Sequence, residues 1–309
     1  MAIFNMKIFV LAPKENWICD RQLQEWNLHA SNITTTSIED CDIIWLLAGW
    51  CWNQVDPRIL KKKKVVVTEH HIVPEKFNEQ KLSSFKIRDV LVDAYHVPND
   101  TTASFLKKIT DKPIYVIPYW YNPESWYYED KGKCRKELGL PNNKFIVGSF
   151  QRDTEGGTRS PKLEKGPDLF VDYLIKMNRN DLLVLLGGWR REYICDRLNA
   201  ANIPYTGVEL APLDVIRKMY ASCDLYIVSS RYEGGPQAIY EASVMKVPIV
   251  STDVGVAKKI LCDNCIIDIP NEIYYPTSKD IDLNFSRVKS YNIKVHKKEY
   301  FKMFDGVLN

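Results

Sequence analysis

The chain has 309 residues, of which 45% are hydrophobic and 12% aromatic, and its formal net charge is +3. Such a composition can bury two ordinary cores, so we expect two domains of roughly 150 residues. The small net charge argues against a nucleic-acid-binding protein. No apolar run reaches the roughly 18 residues of a membrane span, which predicts a cytoplasmic protein. Eight scattered cysteines favour reduced core thiols over a disulfide framework.

The first half of the chain alternates short apolar runs with polar stretches of helix length. This alternation predicts strands of a parallel sheet joined by crossover helices. The predicted strands span residues 7–12, 43–48, 65–68, 89–94 and 114–118. The stretch from Pro118 to Pro141 lacks a clean period, and we expect the connection between the domains there.

The second half repeats the pattern, so the sequence predicts an α/β protein with two mainly parallel sheets. The predicted strands span residues 145–150, 182–187, 203–206, 224–229, 248–252 and 265–268. The final segment, 285–309, has helix-compatible spacing.

The segment Glu233-Gly-Gly-Pro-Gln-Ala-Ile-Tyr-Glu241 directly follows the predicted strand at 224–229. Two glycines let a ligand approach the main chain, and Pro236 suits the first turn of a helix that begins near Gln237. A strand, a glycine turn and a helix N-terminus form a cradle for anions, which indicates a phosphorylated ligand. The alternative is an ordinary helix start with Glu233 as cap and Glu241 as a solvated charge.

Together with Lys246-Val-Pro-Ile-Val-Ser-Thr-Asp-Val-Gly255, this segment resembles the signature of retaining glycosyltransferases of family 4. That family has the GT-B fold of two facing Rossmann-like domains. The resemblance implies that Glu233 approaches the hydroxyls of the donor sugar and that Glu241 holds the nucleotide ribose. It implies that the turn between them binds the distal phosphate through Gly234, Gly235, Pro236 and Gln237.

The resemblance also implies the division of the chain. Residues 1–125 would form the acceptor-side domain, with the helix at 285–309 crossing back onto it. Residues 140–284 would form the Rossmann-like domain that binds the nucleotide sugar.

Two basic residues follow the first strand of the second half. The resemblance implies that Arg152 and Lys165 neutralise the departing diphosphate in place of a metal ion. Twelve residues separate them, more than is usual in the family, and this insert contributes Arg159 and Lys162. Whether Lys162 or Lys165 contacts the phosphate stays open, and a solvated basic loop is the alternative.

No metal or other cofactor is expected. The Asp280-Ile-Asp282 sequence lies in a polar stretch beyond the last predicted strand, a poor position for a metal-dependent catalyst. The pair Cys262 and Cys265 has no second pair or histidine cluster nearby, so a zinc site is not expected either.

Glycines at two further strand ends would let the nucleotide base lie close to the main chain. These are Gly187-Gly188 and Gly207, which Val208 follows. The neighbouring Arg190 and Arg191 are predicted to be surface charges.

In the first half, His70 and His71 end the predicted strand at 65–68. The resemblance places a functional histidine at His70, close to the transferred sugar, with His71 as the alternative. A structural role is the other interpretation of a histidine at a strand end. Trp50 and Trp52 could stack on an acceptor sugar, although tryptophan is by default a core residue.

The predicted function is therefore transfer of a sugar from a nucleotide diphosphate donor to a saccharide or lipid-linked acceptor, with retention, in cell-surface polysaccharide or glycoconjugate synthesis. A non-catalytic nucleotide-sugar-binding subunit, or another GT-B-type enzyme such as a sugar-nucleotide epimerase or a phosphorylase, is the alternative. Basic runs at Lys61 to Lys64 and in the C-terminal segment predict solvated faces, or peripheral contact with the inner face of an anionic membrane bearing the acceptor.

Overall fold

In the computed structural model, the chain is described over residues 6–15, 17–156 and 158–309. It divides into two compact units. The first contains the residues up to Trp120 together with Ile293–Asn309, and the second contains Tyr121–Asn292. The predicted ranges include residues 1–5, Asn16 and Gly157, which lie outside the described residues.

The described residues form eleven strands and twelve α-helices. The strands are β1 (Ile8–Leu11), β2 (Thr34–Thr35), β3 (Ile43–Leu46), β4 (Lys64–Thr68), β5 (Ala94–Val97), β6 (Ile114–Val116), β7 (Phe145–Phe150), β8 (Leu182–Gly188), β9 (Tyr205–Glu209), β10 (Leu225–Val228) and β11 (Ile249–Ser251). The helices are α1 (Ile18–His29), α2 (Pro57–Leu60), α3 (Glu79–Asp89), α4 (Asp100–Leu106), α5 (Lys131–Glu137), α6 (Pro167–Met177), α7 (Glu192–Ala200), α8 (Leu213–Ala221), α9 (Gln237–Val244), α10 (Ala257–Ile260), α11 (Ser278–Val288) and α12 (Ile293–Leu308).

The first unit contains a parallel sheet of six strands in the order β2-β1-β3-β4-β5-β6. A buried chain of hydrogen bonds joins four neighbouring strands near their carboxyl ends. The indole of Trp45 donates to Thr68 over 2.9 Å, Thr68 donates to Nδ1 of His96 over 2.9 Å, and Nε2 of His96 donates to the carbonyl of Ile117 over 2.8 Å. Burial lowers the pKa of His96 to about 3, so this ring is neutral and serves the sheet.

Helix α12 belongs to the first unit through its aromatic side chains. Tyr300 and Phe304 are fully buried, and their rings lie 5.7 and 5.9 Å from that of Trp26. Lys294, Lys298 and Lys302 are exposed. The predicted segment 285–309 is two helices rather than one, because the chain is extended at Asn292 between α11 and α12.

The second unit contains a parallel sheet of five strands in the order β11-β10-β7-β8-β9. Strand β10 is fully buried and β7 is buried except at its two end residues, as expected for parallel strands covered by helices on both faces. The α/β class with two mainly parallel sheets is confirmed.

Two predicted strands are wrong. The run at 89–94 instead contains the end of α3 and an exposed Val90, and the strand begins at Ala94. The apolar run therefore spans a helix end and a turn, which periodicity alone cannot distinguish from a strand. Residues 265–268 form no strand either, since only Ile266 makes a single bridge, to Ser251.

Over the described residues, none of the helices combines the length and the apolar character needed to cross a membrane.

Two glycines in the left-handed backbone conformation provide a test of the packing between α6 and β10. Gly166 has a φ of 60°, and a Cβ there would lie 1.8 Å from the carbonyl oxygen of Ser229, whereas Gly139 has a φ of 65° and open space around it. We expect Gly139→Ala to cost about 1 kcal/mol, because of the left-handed conformation alone. Gly166→Ala should cost a further 1–3 kcal/mol or so, because it overpacks the contact between α6 and β10. Urea denaturation measures both, and equal losses would contradict this packing.

Candidate functional site

The Glu233–Glu241 segment lies at the carboxyl edge of the second sheet. After β10, Ser229 and Ser230 are buried, and α9 begins at Gln237 with Pro236 as its N-cap residue. Gly234, Gly235 and Pro236 are buried in the turn. Pro236, as the N-cap residue, has no side chain that can accept a hydrogen bond from the first turn of α9. The predicted order of strand, glycine turn and helix is therefore the one observed.

Glu233 and Lys165 form an ion pair at this edge. Their Oε1 and Nζ atoms are 2.6 Å apart, and the two side chains are 13% and 19% exposed. Ser230 donates to the same carboxylate oxygen over 3.1 Å. The carbonyl of Lys165 accepts a hydrogen bond of 3.0 Å from the side chain of Gln151, which follows β7. Two residues that the sequence assigns to catalysis are thus in direct contact, although 68 positions separate them.

Glu241 is buried inside α9 with 5% of its surface exposed, so the alternative of a solvated helix charge is wrong. Its carboxylate faces the aromatic side chains of Tyr220 and Tyr226. Burial, and then the charge of Glu241, raise the pKa of Tyr220 well above its ordinary value. Contact between Glu241 and a ribose stays a prediction.

Arg152 is half-buried at the exit of β7. Asp153, the next residue, accepts a hydrogen bond of 2.8 Å from the backbone N–H of Lys162, and the positive charges of Arg152 and Lys165 both lower the pKa of Lys162. The second unit therefore gathers three basic side chains at the same edge of the sheet as Glu233.

Arg191 is buried, so the prediction of a surface charge is wrong for this residue. Its guanidinium donates to the carbonyls of Ser149 over 2.9 Å and of Gly187 over 2.8 Å, and to the hydroxyl of Ser149 over 3.0 Å. It also donates to the carbonyl of Gln151. Five N–H donors in a planar fork suit this set of acceptors at the ends of β7 and β8. Arg190, by contrast, stacks on the exposed ring of Trp189.

Asp153 completes this buried arrangement. Its Oδ2 accepts from the backbone N–H of Ile194 over 3.1 Å, in the first turn of α7, and lies 3.6 Å from Nε of Arg191. Burial raises the pKa of Asp153 to about 6, against the opposing effect of Arg191. The Asp153–Arg191 pair thus fixes the loop that carries Arg152. The sequence offered one sign of this pair, an arginine shortly after a strand that ends in Gly187-Gly188.

Of the residues predicted to lie near the base, Gly187 and Gly188 end β8, and Gly207 and Val208 lie on β9 at the edge of the sheet. A Cβ on Gly207 would lie 2.3 Å from the carbonyl oxygen of Leu186 on β8, so the strand pairing itself requires glycine there. Val208 is 43% exposed. Contact of either residue with a nucleotide base stays a prediction.

His70 belongs to a hydrogen-bond network in the first unit. Nε2 of its ring donates to the carbonyl of Leu47 over 2.8 Å, and Nδ1 accepts from the hydroxyl of Tyr119. Since both ring nitrogens bind protein atoms, this geometry favours the structural interpretation of His70. His71 is half-buried, and Trp50 is 53% exposed with its ring 6.0 Å from that of His70. Trp52 packs partly buried against the core.

Within the described ranges, no three or more His, Cys, Asp or Glu residues are grouped as a metal site. Asp280 caps α11 through Thr277, and Asp282 pairs with Lys246 over 2.8 Å. All eight cysteines are free thiols, including Cys262 and Cys265, whose sulfur atoms are 3.4 Å apart.

The second unit matches a known sequence family. Residues 157–273 match the family model described as Glycosyl transferases group 1. Glycogen synthase of Thermotoga maritima is 30% identical over 182 residues, which are 54% of this chain and 34% of that protein. The lipopolysaccharide core biosynthesis mannosyltransferase LpsB of Rhizobium meliloti is 28% identical over 189 residues, 58% of this chain and 50% of that protein. The chain thus spans a third to a half of the length of these relatives.

Solved structures share the fold over most of the chain. The Anabaena protein Alr3699/HepE, crystallised in complex with UDP and glucose, superposes with a TM-score of 0.75 at 15% identity and covers 97% of this chain and 100% of that one. Sucrose-phosphate synthase of Thermosynechococcus elongatus gives a TM-score of 0.66 at 16% identity, covering 86% and 74%. Residues 157–273 are therefore similar to the group 1 glycosyltransferases, the family that the Glu233–Glu241 segment resembles, and the chain has the GT-B fold.

The adjacent arginines test the buried network. We expect Arg191→Met to destabilise the protein by about 3–5 kcal/mol, because it leaves Asp153 without a partner and the carbonyls at the ends of β7 and β8 without donors. Arg190→Met makes the same substitution at an arginine that stacks on a partly exposed ring, so it should cost less than about 1 kcal/mol. Denaturation of the two variants measures the difference, and similar costs would refute the role given to Arg191.

Proposed function

We propose that the protein transfers a sugar from a nucleoside diphosphate sugar to a saccharide or lipid-linked acceptor. The observation that carries the proposal is the Lys165–Glu233 ion pair, 2.6 Å long, directly before the N-terminal turn of α9. A cation and a carboxylate are the two groups that a departing diphosphate and a sugar hydroxyl respectively need. The match of this region to the glycosyltransferase family supports the same conclusion.

The residues suggest how such a donor would be held. The distal phosphate would lie against the amides of the turn and the positive end of α9, with Gly234 and Gly235 letting it approach. A diphosphate competing for Lys165 would release the carboxylate of Glu233 to accept hydrogen bonds from the sugar. Positive side chains would then stabilise the charge that develops on the leaving diphosphate, so the reaction would need no metal ion. Glu241 would bind the ribose.

Finer features of the proposal rest on similarity. Relatives named as a glycogen synthase and a lipopolysaccharide core mannosyltransferase, and a structural neighbour crystallised with UDP and glucose, support a hexose donor and a role in polysaccharide or glycoconjugate synthesis. We propose retention at the anomeric carbon on the resemblance of the Glu233–Glu241 segment.

Peripheral membrane contact remains part of this proposal. Exposed Lys294, Lys298 and Lys302, which lie four residues apart on α12, could face anionic lipid. The aromatic residues of α12 could not insert there, because they are buried in the first unit.

A second function, that of a non-catalytic nucleotide-sugar-binding subunit, is favoured by one observation. Both ring nitrogens of His70 are engaged by Leu47 and Tyr119, so the histidine assigned to catalysis already has protein partners. The two functions separate when the protein is incubated with UDP-, GDP- and ADP-sugars and an acceptor mixture. An enzyme releases the nucleoside diphosphate, whereas a binding protein gains thermal stability without consuming the donor.

Glu233→Gln tests the role of the carboxylate. The amide keeps the size and hydrogen-bonding capacity of the side chain but removes its charge, so we expect the transfer rate to fall by at least about 100-fold while the protein stays folded. Glu137→Gln is the matched control, because Glu137 also pairs with a lysine, Lys218 at 2.8 Å, on the surface of the same unit. Initial rates of nucleotide release measure both variants, and full activity of Glu233→Gln would contradict the assignment.

A further inference from the structure

The loop between Arg152 and Lys165 doubles back on itself. The backbone N–H of Lys162 donates to the carbonyl of Asp153 over 2.8 Å, and Thr154 and Pro161 form an antiparallel bridge. Arg152 and Lys165 are unusually far apart in the sequence, but the folded loop brings its two ends close together. Lys162, at the returning end of the loop, lies beside the residue that follows Arg152.

The ammonium of Lys162 is weakly partnered. Its side chain is 17% exposed, and the nearest carboxylate oxygen, on Glu164, is 3.8 Å away, beyond hydrogen-bonding distance. Lys165, by comparison, contacts Glu233 at 2.6 Å. Across the part of the chain that the structure describes, neither Lys162 nor Arg152 donates a side-chain hydrogen bond. Both are therefore available to an external anion.

Electrostatic repulsion acts within this group. Burial, and then the positive charges of Arg152 and Lys165, lower the pKa of Lys162, while Glu164 and Glu155 oppose this effect. Like charges held together in a half-buried place destabilise a protein unless an anion compensates them. A dianionic or trianionic group would offset this cost best.

The position of Lys162 is fixed by the buried pair below the loop. Asp153, whose carbonyl accepts from Lys162, is fully buried and is held by α7 and Arg191. The backbone of Lys162 is therefore held in place. Binding a ligand then costs less conformational entropy than it would for a lysine on a mobile loop.

We propose that Lys162 is a third cation for the diphosphate of the donor, acting beside Arg152 and Lys165, and that the long loop exists to supply it. This inference rests on the proposed function and deepens it. Three cations match the charge of a pyrophosphate better than that of a single phosphate. Lys162 should therefore distinguish nucleoside diphosphates from monophosphates.

The test measures dissociation constants by calorimetry for UDP, GDP and ADP, then for the monophosphate of whichever diphosphate binds most tightly. We expect Lys162→Met to weaken the diphosphate by about 10- to 100-fold and the monophosphate by less than about 3-fold. Lys162→Arg should restore most of the diphosphate affinity, because it restores the charge. Raising the salt concentration should weaken diphosphate binding less in Lys162→Met than in the unmodified protein.

Arg159→Gln is the matched control. Arg159 lies on the same loop, but its side chain is 77% exposed and pairs with Asp196 over 3.2 Å, so its loss should leave both affinities unchanged. Melting temperatures show whether each variant is folded. Should Lys162→Met not fold, Lys162→Gln takes its place in the same comparison.

The outcomes separate the two proposals. If the unmodified protein binds none of the diphosphates, the proposed function fails and this inference fails with it. If it binds one of them and Lys162→Met binds equally well, only the inference is overturned. Equal weakening of the monophosphate and the diphosphate would also overturn it, because Lys162 would then support the loop rather than contact the second phosphate.

Discussion

The pairing of β7 with β10 is the constraint on which the candidate site depends. These strands are neighbours in a parallel sheet, Leu225 lying opposite Val147, although they are far apart in the chain. Parallel strands end at one edge, so the loops that follow them meet there. Lys165 thereby reaches Glu233, and Arg152 and Lys162 come to the same place. Without this pairing, the basic residues and the Glu233–Glu241 segment would not lie at the same edge of the sheet.

Buried polar groups then fix the edge in detail. Arg191 binds the carbonyls at the ends of β7 and β8, and Asp153 joins that arginine to α7. The opposite charges of the two groups offset each other, and both side chains bind main-chain atoms, which lowers the free-energy cost of burying them. The loop that carries the half-buried Arg152 and Lys162 is consequently anchored at its base by a fully buried ion pair.

The first unit uses its strand ends differently. Trp45, Thr68 and His96 form a closed chain of hydrogen bonds, and His70 satisfies Leu47 and Tyr119. Polar side chains here connect strands to one another, whereas those of the second unit leave basic groups available. Both nitrogens of the His70 ring are thus bound to atoms of the first unit itself.

The sequence by itself determined the α/β class, most of the strands, and the strand, turn and helix around Glu233–Glu241, because these depend on local periodicity and on the conformations open to glycine and proline. It misplaced the strand at 89–94, where an apolar run continues through a helix end into a turn. Only the tertiary structure decided which charges are buried. Adjacent Arg190 and Arg191 look alike in sequence, yet one stacks on an exposed ring and the other holds two strands together. The same holds for Lys162, which comes close to Arg152 only because the loop between them folds back. Burial and contact depend on residues remote in sequence, and no local pattern records them.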